Sequence, residues 1–285
     1  MAFNDYETSR ESGQPVELYL FVYGTAPGAH YAYTNAEQAI EHDGITYTPL
    51  PIERGKVATK GRAESDELTV EVPLTAPIAN LFAAFPPGRV IALTIREGHI
   101  SEGEDIRSWG LGEQFTVTWL GRVLESRRTA NKATLTCENS AAGMKRVGLR
   151  RHYQYSCPLA LYGSRCQADK EAAKLTSTVL TVDGVKLNMT PGWNGANSVS
   201  DYIGGLVEWD SGDGREYRTI LRVEGTDTIV LRMLPLNLVD GSTVDVFLGC
   251  PRTLDACAAL HNNAVNYGGQ PFIPTVNPVG KNNHT

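Results

Sequence analysis

The stretch Leu175-Thr-Ser-Thr-Val-Leu-Thr-Val182, the turn Asp183-Gly184 and the stretch Val185-Lys-Leu-Asn188 set the character of the second half of the chain. Two apolar and β-branched runs on either side of an Asp-Gly turn are typical of an antiparallel hairpin. Similar runs separated by turn residues follow at 205–209, 218–223, 228–233 and 243–248. Short strands at such intervals predict a small antiparallel barrel or sandwich.

The first half of the chain has the same β character. Residues 16–23 form an unbroken apolar, β-branched and aromatic run, which is typical of a strand buried on both faces. Residues 67–74 alternate apolar and polar side chains, which indicates a half-buried strand. We predict further strands at 45–47, 90–95, 115–124 and 133–137, and helices at 76–85, 139–147 and 252–263. The fold class predicted from these patterns is mainly β.

A basic stretch, Lys145-Arg-Val-Gly-Leu-Arg-Arg-His152, separates the two β-rich halves. A solvated linker and a tail that docks on a partner subunit or DNA are both compatible with its charge. We place a domain boundary here, which gives an N-terminal β domain over residues 1–150 and a C-terminal β domain over residues 151–285.

Composition excludes several classes of protein. The 285 residues include 26 basic and 32 acidic side chains, and the net charge of −6 argues against general binding to nucleic acid. The longest apolar runs are far shorter than the ~20 residues of a membrane-spanning helix. Residues 1–14 are polar and acidic, without the apolar core of a secretory signal, so we expect synthesis in the cytosol.

Five cysteines are too few for a disulfide framework in a chain of this length, and clustered thiols in a reducing compartment indicate metal binding or catalysis. Four of them form two pairs, Cys157 with Cys166 and Cys250 with Cys257, at the entry and the exit of the second β region. If the ends of that domain meet, four thiolates converge. Cys137 lies within a strand pattern and is interpreted as a small buried hydrophobe.

Spacing alone leaves the chemistry of the four cysteines open. A four-cysteine zinc site, an iron–sulfur cluster and four ordinary buried cysteines are all compatible with it. Both pairs are spaced more widely than the about two to four residues of a usual zinc knuckle, which favours a bulkier cluster. The glycine in Gly249-Cys-Pro251 allows a close approach of the backbone beside one of the four.

The residues around the cysteines resemble one family of tail proteins. Cys157-Pro-Leu-Ala-Leu-Tyr-Gly-Ser-Arg-Cys166 and Gly249-Cys-Pro-Arg-Thr-Leu-Asp-Ala-Cys257 are similar to the C-terminal half of the tail-tip family of tailed phages. This family includes the minor tail protein L of phage lambda and hub proteins of gene transfer agents. Asn262-Asn-Ala-Val-Asn-Tyr-Gly-Gly-Gln-Pro-Phe-Ile-Pro274 resembles its closing signature, and Gly44-Ile-Thr-Tyr-Thr-Pro-Leu-Pro-Ile-Glu-Arg54 resembles its N-terminal part.

The resemblance implies a structural protein of the virion tail tip, with residues 1–150 as a hub module. The expected neighbours are the distal tail protein above and the central hub or receptor-binding protein below, with the tape measure protein as a further candidate. A homotrimer assembled in the host cytoplasm is implied, with no specific nucleic acid and no membrane span. The resemblance also implies a [4Fe-4S] cluster with the ligands Cys157, Cys166, Cys250 and Cys257.

The sequence lacks the motifs of common enzymes: it has no nucleophile elbow, phosphate-binding loop or zinc-protease motif. We therefore predict that the protein is not an enzyme. A tail-associated cell-wall hydrolase is the rival, and it would need a catalytic pair that no residues suggest. The acidic stretches at 102–105 and 210–216 are interpreted as solvated loops. His261 is interpreted as an exposed helix residue rather than a donor to the cluster.

Overall fold

The computed structural model describes residues 14–24, 29–57, 67–83, 86–100, 115–145, 148, 153–212 and 214–274. The chain divides into two units, Met1–Arg146 and Val147–Thr285. Strands dominate both units, which confirms the prediction of a mainly β protein. The predicted linker at 145–152 lies largely outside the described residues.

The described strands of the first unit form a nine-stranded sheet in the order β3-β4-β2-β1-β7-β8-β9-β6-β5. The one parallel pair that it contains among these residues is β2 with β4. The strands are β1 (Gln14–Tyr23), β2 (His30–Thr34), β3 (Ile40–His42), β4 (Ile45–Pro49), β5 (Glu53–Arg54), β6 (Glu67–Pro73), β7 (Ile91–Ile100), β8 (Thr116–Arg128) and β9 (Lys132–Asn139).

Strand β1 is central in this sheet and pairs with β7 over its whole length. Leu18 and Tyr19, which are adjacent and therefore point to opposite faces, are both fully buried, as predicted for this run. Further along, Leu20 and Val22 are half-buried while Phe21 is fully buried, so only one face is covered there. Strand β6 alternates as predicted, with its apolar side chains buried: Leu68, Val70 and Val72.

The helices of the first unit are shorter than predicted. Helix α1 covers Pro77–Asn80, a single turn, instead of residues 76–85. Ala76, the N-cap residue, has no side chain that could cap the first turn, so the helix is not stabilised by an N-cap hydrogen bond. Ile78 of this turn is buried in the core. The predicted helix at 139–147 is a 3-10 helix over Ser140–Lys145.

A partly buried charge cluster connects strands that are not neighbours in the sheet. Arg54 on β5 forms ion pairs with Glu17 on β1, at 2.7 Å between Nη2 and Oε1, and with Glu97 on β7. The hydroxyl of the buried Tyr19 donates to Glu17. Desolvation raises the pKa of the Glu97 carboxyl most. The charge of Arg54 opposes this rise, and a hydrogen bond with Glu17 adds to it. Arg54 therefore offsets the negative charge of both carboxylates.

The described strands of the second unit close into a six-stranded barrel in the order β10-β11-β14-β13-β12-β15, with β15 pairing back to β10. This result decides between the barrel and the sandwich that the sequence left open. The strands are β10 (Lys174–Asp183), β11 (Lys186–Met189), β12 (Leu206–Asp210), β13 (Arg215–Glu224), β14 (Thr228–Leu231) and β15 (Thr243–Phe247).

Two long strands turn the corners of the barrel. Strand β10 pairs first with β15 and then with β11, and its register shifts between Val179 and Thr181. Strand β13 makes the same change from β12 to β14, with a shift between Ile220 and Arg222. Such bulges bend a strand and increase its twist, which allows a small sheet to close. The interior holds buried apolar side chains that include Val179, Trp209, Ile220 and Val246.

A close backbone contact lies where β15 ends. A Cβ added at Gly249 would stand 2.0 Å from the carbonyl oxygen of Ile203, and one added at Gly205 would stand 2.1 Å from that of Phe247. The amide of Gly249 also donates to the carbonyl of Asp201 at 2.7 Å. Only glycine fits at both positions because the opposing atoms are backbone and cannot rotate away.

We expect the Gly249→Ala variant to lower the stability of the second unit by about 3 kcal/mol or more, because the added methyl group overlaps backbone atoms. Chemical denaturation monitored by tryptophan fluorescence measures the effect. Gly143→Ala is the control, since its Cβ would meet no atom within 4 Å. A Gly249→Ala protein that is as stable as the control contradicts the close contact.

We expect the Arg54→Met variant to lose about 2 kcal/mol of unfolding free energy at neutral pH, because two partly buried carboxylates lose their shared cation. Since the folded-state pKa of Glu97 is already raised, its protonated form favours folding, and the defect should shrink as the pH falls through that pKa. Urea denaturation at several pH values measures this. Lys132→Met, which breaks the exposed pair with Glu71, should cost less than about 0.5 kcal/mol.

Candidate metal centre

Two segments of the second unit, residues 153–173 before β10 and residues 248–267 after β15, lie side by side. The amide of Leu248 donates to the carbonyl of Ala173 at 3.2 Å. The hydroxyl of Tyr162 donates to the carbonyl of Leu248 at 2.6 Å. Each segment carries one pair of cysteines, so the closure of the barrel brings the two pairs together.

The main chain of Arg252 contacts one cysteine from each pair. Its carbonyl oxygen accepts from the amide of Cys157 at 3.0 Å, and its own amide donates to the sulfur of Cys250 at 3.4 Å. The same carbonyl also accepts from the hydroxyl of Tyr267 at 3.0 Å. Arg252 adopts a left-handed conformation, with φ of 63°, which turns the chain between Cys250 and the following helix.

Helix α2 (Leu254–His261) presents Cys257, which is its one buried residue. The Thr253 hydroxyl caps the helix by accepting from the amide of Ala256, and Asn262 ends it in a left-handed conformation with φ of 46°. The helix is therefore shorter than the predicted span of 252–263. Its caps fix the direction in which the Cys257 sulfur points.

Asn263 contacts the other cysteine of each pair. Its side-chain Nδ2 donates to the carbonyl of Cys166 at 2.5 Å, across 97 positions of sequence. Its carbonyl oxygen lies 3.3 Å from the sulfur of Cys257, which donates to it as a thiol. Arg252 and Asn263 together therefore tie the four predicted ligands into one region of the fold.

The electrostatics agree with this grouping. Burial raises the pKa of the Cys257 thiol most, and the charges of Cys250, Cys166 and Cys157 raise it further. Burial also raises the pKa of the Tyr162 hydroxyl, with added contributions from Cys250 and Cys166. The sulfur of Cys257 is therefore close enough to the other three cysteines for their charges to act on it.

The donor set fits an iron–sulfur cluster in two respects. All four cysteines are free rather than disulfide-bonded. Thiolate sulfur is the ligand that such clusters prefer.

His261 lies beside this region. Its imidazole Nδ1 is buried without a hydrogen-bond partner, while its Nε2 is 2.9 Å from the carbonyl of Gly249. Its ring also packs edge-on against Tyr162. The prediction of an exposed His261 is therefore wrong.

A single metal ion would need its ligands to converge on one point. Among the residues that the structure describes, no three His, Cys, Asp or Glu side chains are placed to hold one ion. A tetrahedral zinc site would require all four sulfurs to lie about 2.3 Å from one ion.

Cys137 does not belong to this group. It lies on β9 in the first unit and is fully buried. Burial raises the pKa of its thiol to about 12, so it remains protonated at neutral pH. This environment confirms its interpretation as a small buried hydrophobe.

Three residues that contribute to the site were not identified from the sequence: Tyr162, Asn263 and Tyr267. All three lie in the segments that carry the family resemblance, which was the one available signal. Their roles depend on contacts between distant segments, such as the hydrogen bond from the Tyr267 hydroxyl to the carbonyl of Tyr155 at 3.1 Å. No local spacing rule predicts such contacts.

The acidic stretch at 210–216 joins two strands: Asp210 ends β12, and Arg215 and Glu216 begin β13. Glu216 is fully buried, so the interpretation of the whole stretch as a solvated loop is wrong. The amide of Gly212 donates to the Asp210 carboxylate, and the amide of Ser211 donates to the carbonyl of Gly214, both at 2.9 Å. Residues 102–105 lie outside the described part of the chain.

The described helices include none long and apolar enough to span a membrane.

Known proteins are similar to parts of this chain. The family described as "Phage conserved hypothetical protein BR0599" matches residues 200–277, which include Cys250 and Cys257. An uncharacterised protein of Xylella fastidiosa (strain 9a5c) is 24% identical over 199 residues, covering 64% of this chain and 38% of that protein. The chain thus spans about two fifths of the length of that relative.

The fold also has a solved counterpart. A chain of the structure titled "Virion of native gene transfer agent (GTA) particle" superposes with a TM-score of 0.71 at 19% identity, over 95% of this chain and 92% of that one. The family described as "Baseplate hub protein, N-terminal attachment domain" matches residues 19–169, more than half of the sequence. The chain therefore belongs to the family of phage baseplate hub proteins that carry this N-terminal attachment domain.

Proposed function

We propose that this protein is a structural component of the tail tip of a long-tailed phage, where it links the distal end of the tail tube to the central hub. The observation that carries this proposal is the match of residues 19–169 to a hub attachment domain. The fold shared with a chain of a gene transfer agent virion supports the same role. The protein acts by assembly rather than by catalysis.

The proposed neighbours are the distal tail protein above and the central hub or receptor-binding protein below, with the tape measure protein as a third candidate. A homotrimer, assembled in the host cytoplasm and then carried in the virion, matches the three-fold symmetry that the family resemblance implies. In this proposal, the exposed surface of the first unit contacts these partners.

Strand β8 supports attachment through the first unit. Val117, Leu120 and Leu124 on this strand are exposed to solvent. Leu120 lies opposite Thr94 on β7 and borders a surface depression of about 350 Å³ that also includes Ala92 and Glu138. Exposed apolar side chains grouped on one strand are typical of a surface that another protein covers.

We expect the Leu120→Asp variant to fold normally and to fail to enter tails, because a carboxylate at the centre of a covered surface is costly to bury. Complementation of a phage that lacks the gene, with electron microscopy of the tails, measures assembly. Leu180→Asp is the control, since Leu180 is equally exposed, at 50% against 49%, but lies on the barrel. Normal tails with the Leu120→Asp protein contradict attachment through β8.

The second part of the proposal concerns the four cysteines of the barrel unit. A [4Fe-4S] cluster ligated by Cys157, Cys166, Cys250 and Cys257 would supply strong metal–thiolate bonds between the two segments. It would act as a structural staple, because cross-linking residues this far apart in sequence restricts the unfolded chain by about 4 kcal/mol. Metal–ligand free energy available only to the folded chain would add to this.

We expect anaerobically purified protein to be brown, to contain iron and sulfide in equal amounts, and to bleach on reduction. The variant with all four ligand cysteines changed to Ser should be colourless, with its barrel unit melting at least about 10 °C lower. Cys137→Ala should keep the colour and the iron.

Three other results would redirect this assignment. Colourless protein with one equivalent of zinc would support the zinc alternative. A four-Ser variant that is as stable as the protein as purified would contradict any staple. Clearing of purified peptidoglycan by the protein would support the hydrolase alternative and contradict a purely structural role.

A further inference from the structure

Asn263 is a buried polar residue whose contacts join two of the four cysteines. Only 8% of its surface is exposed. It follows Asn262, the left-handed residue that ends helix α2. Because a buried amide is costly unless its hydrogen bonds are made, the partners of Asn263 are informative.

The side chain of Asn263 is directed at Cys166. Its Nδ2 donates to the carbonyl of Cys166 at 2.5 Å and lies 3.9 Å from the Cys166 sulfur. Its Oδ1 accepts from the side-chain amide of Asn266 at 2.7 Å. Because Oδ1 needs a donor and Nδ2 an acceptor, Asn266 fixes which end of the Asn263 amide faces Cys166.

The main chain of Asn263 is directed at Cys257. Its amide donates to the carbonyl of Cys257 at 3.1 Å, and its own carbonyl lies 3.3 Å from the Cys257 sulfur. One residue therefore contacts the first pair of cysteines with its side chain and the second pair with its backbone.

We propose that Asn263 is a positioning residue that holds Cys166 against helix α2 and that its amide donates to the Cys166 sulfur when this sulfur is a thiolate. The inference rests on the proposed four-cysteine cluster. A hydrogen bond to a ligand sulfur spreads its negative charge, which favours the reduced form of a cluster and shields the ligand from exchange.

The role of Asn263 is tested by comparing two variants with the wild-type protein. Asn263→Asp keeps the shape and the acceptor for Asn266 but replaces the donor with a carboxylate, and Asn263→Ala removes the amide. Asn188→Ala is the control, because Asn188 also makes two side-chain hydrogen bonds, to Thr181 and Thr228, on the exposed side of the barrel.

We expect both Asn263 variants to lose iron in air about tenfold faster than the wild type, in line with the usual effect of removing a residue that supports a ligand. The reduction potential of the cluster should fall, most of all in Asn263→Asp, where a negative charge is added. The control should match the wild type in both measurements. An Asn263→Asp protein with an unchanged potential and an unchanged rate of iron loss overturns the inference.

A second measurement needs no cluster. In metal-free protein we expect iodoacetamide to alkylate Cys166 several-fold faster in the Asn263→Ala variant, as read by peptide mass spectrometry, while Cys137 stays protected in all variants. Unchanged alkylation overturns the positioning role. If the wild type binds no iron or sulfide under anaerobic conditions, the proposed cluster fails, and alkylation alone then decides whether Asn263 positions Cys166.

Discussion

The contact between the segment before β10 and the segment after β15 is the constraint on which the second unit depends. Strand β15 pairs with both β10 and β12, so closure of the barrel fixes the place where the chain leaves it. Gly249 then passes so close to Ile203 that no side chain fits there. Because each step leaves little freedom, the position of Cys250 follows from the topology of the barrel rather than from local sequence.

Gathering four thiols in this place has an electrostatic consequence. Burial and the neighbouring sulfurs raise the pKa of the Cys257 thiol, which therefore keeps its proton in the metal-free protein. A cation or a cluster that binds this sulfur must displace that proton, so its binding is coupled to the completion of folding. The first unit solves a similar problem with a side chain, since Arg54 compensates two carboxylates without any external ion.

The patterns that could be predicted from the sequence are those with a short period. The alternation of Leu68, Val70 and Val72 and the hairpin at Asp183-Gly184 are local signals, and both are found in the structure. The barrel could not be distinguished from a sandwich because closure depends on the register shifts in β10 and β13. The role of Asn263 could not be predicted from the sequence because its partner Cys166 lies 97 positions away.

The placement of the cysteine pairs also bears on how a tail-tip protein would carry force. The chain passes from the first unit into the barrel through the segment that holds Cys157 and Cys166. In the metal-free protein, tension between that segment and the residues after 257 is resisted by the ladder between β10 and β15 and by hydrogen bonds such as that from Asn263 to Cys166. Thiolate–iron bonds across the same two segments would bypass this ladder. The proposed staple would therefore reinforce the barrel at the place where the chain enters and leaves it.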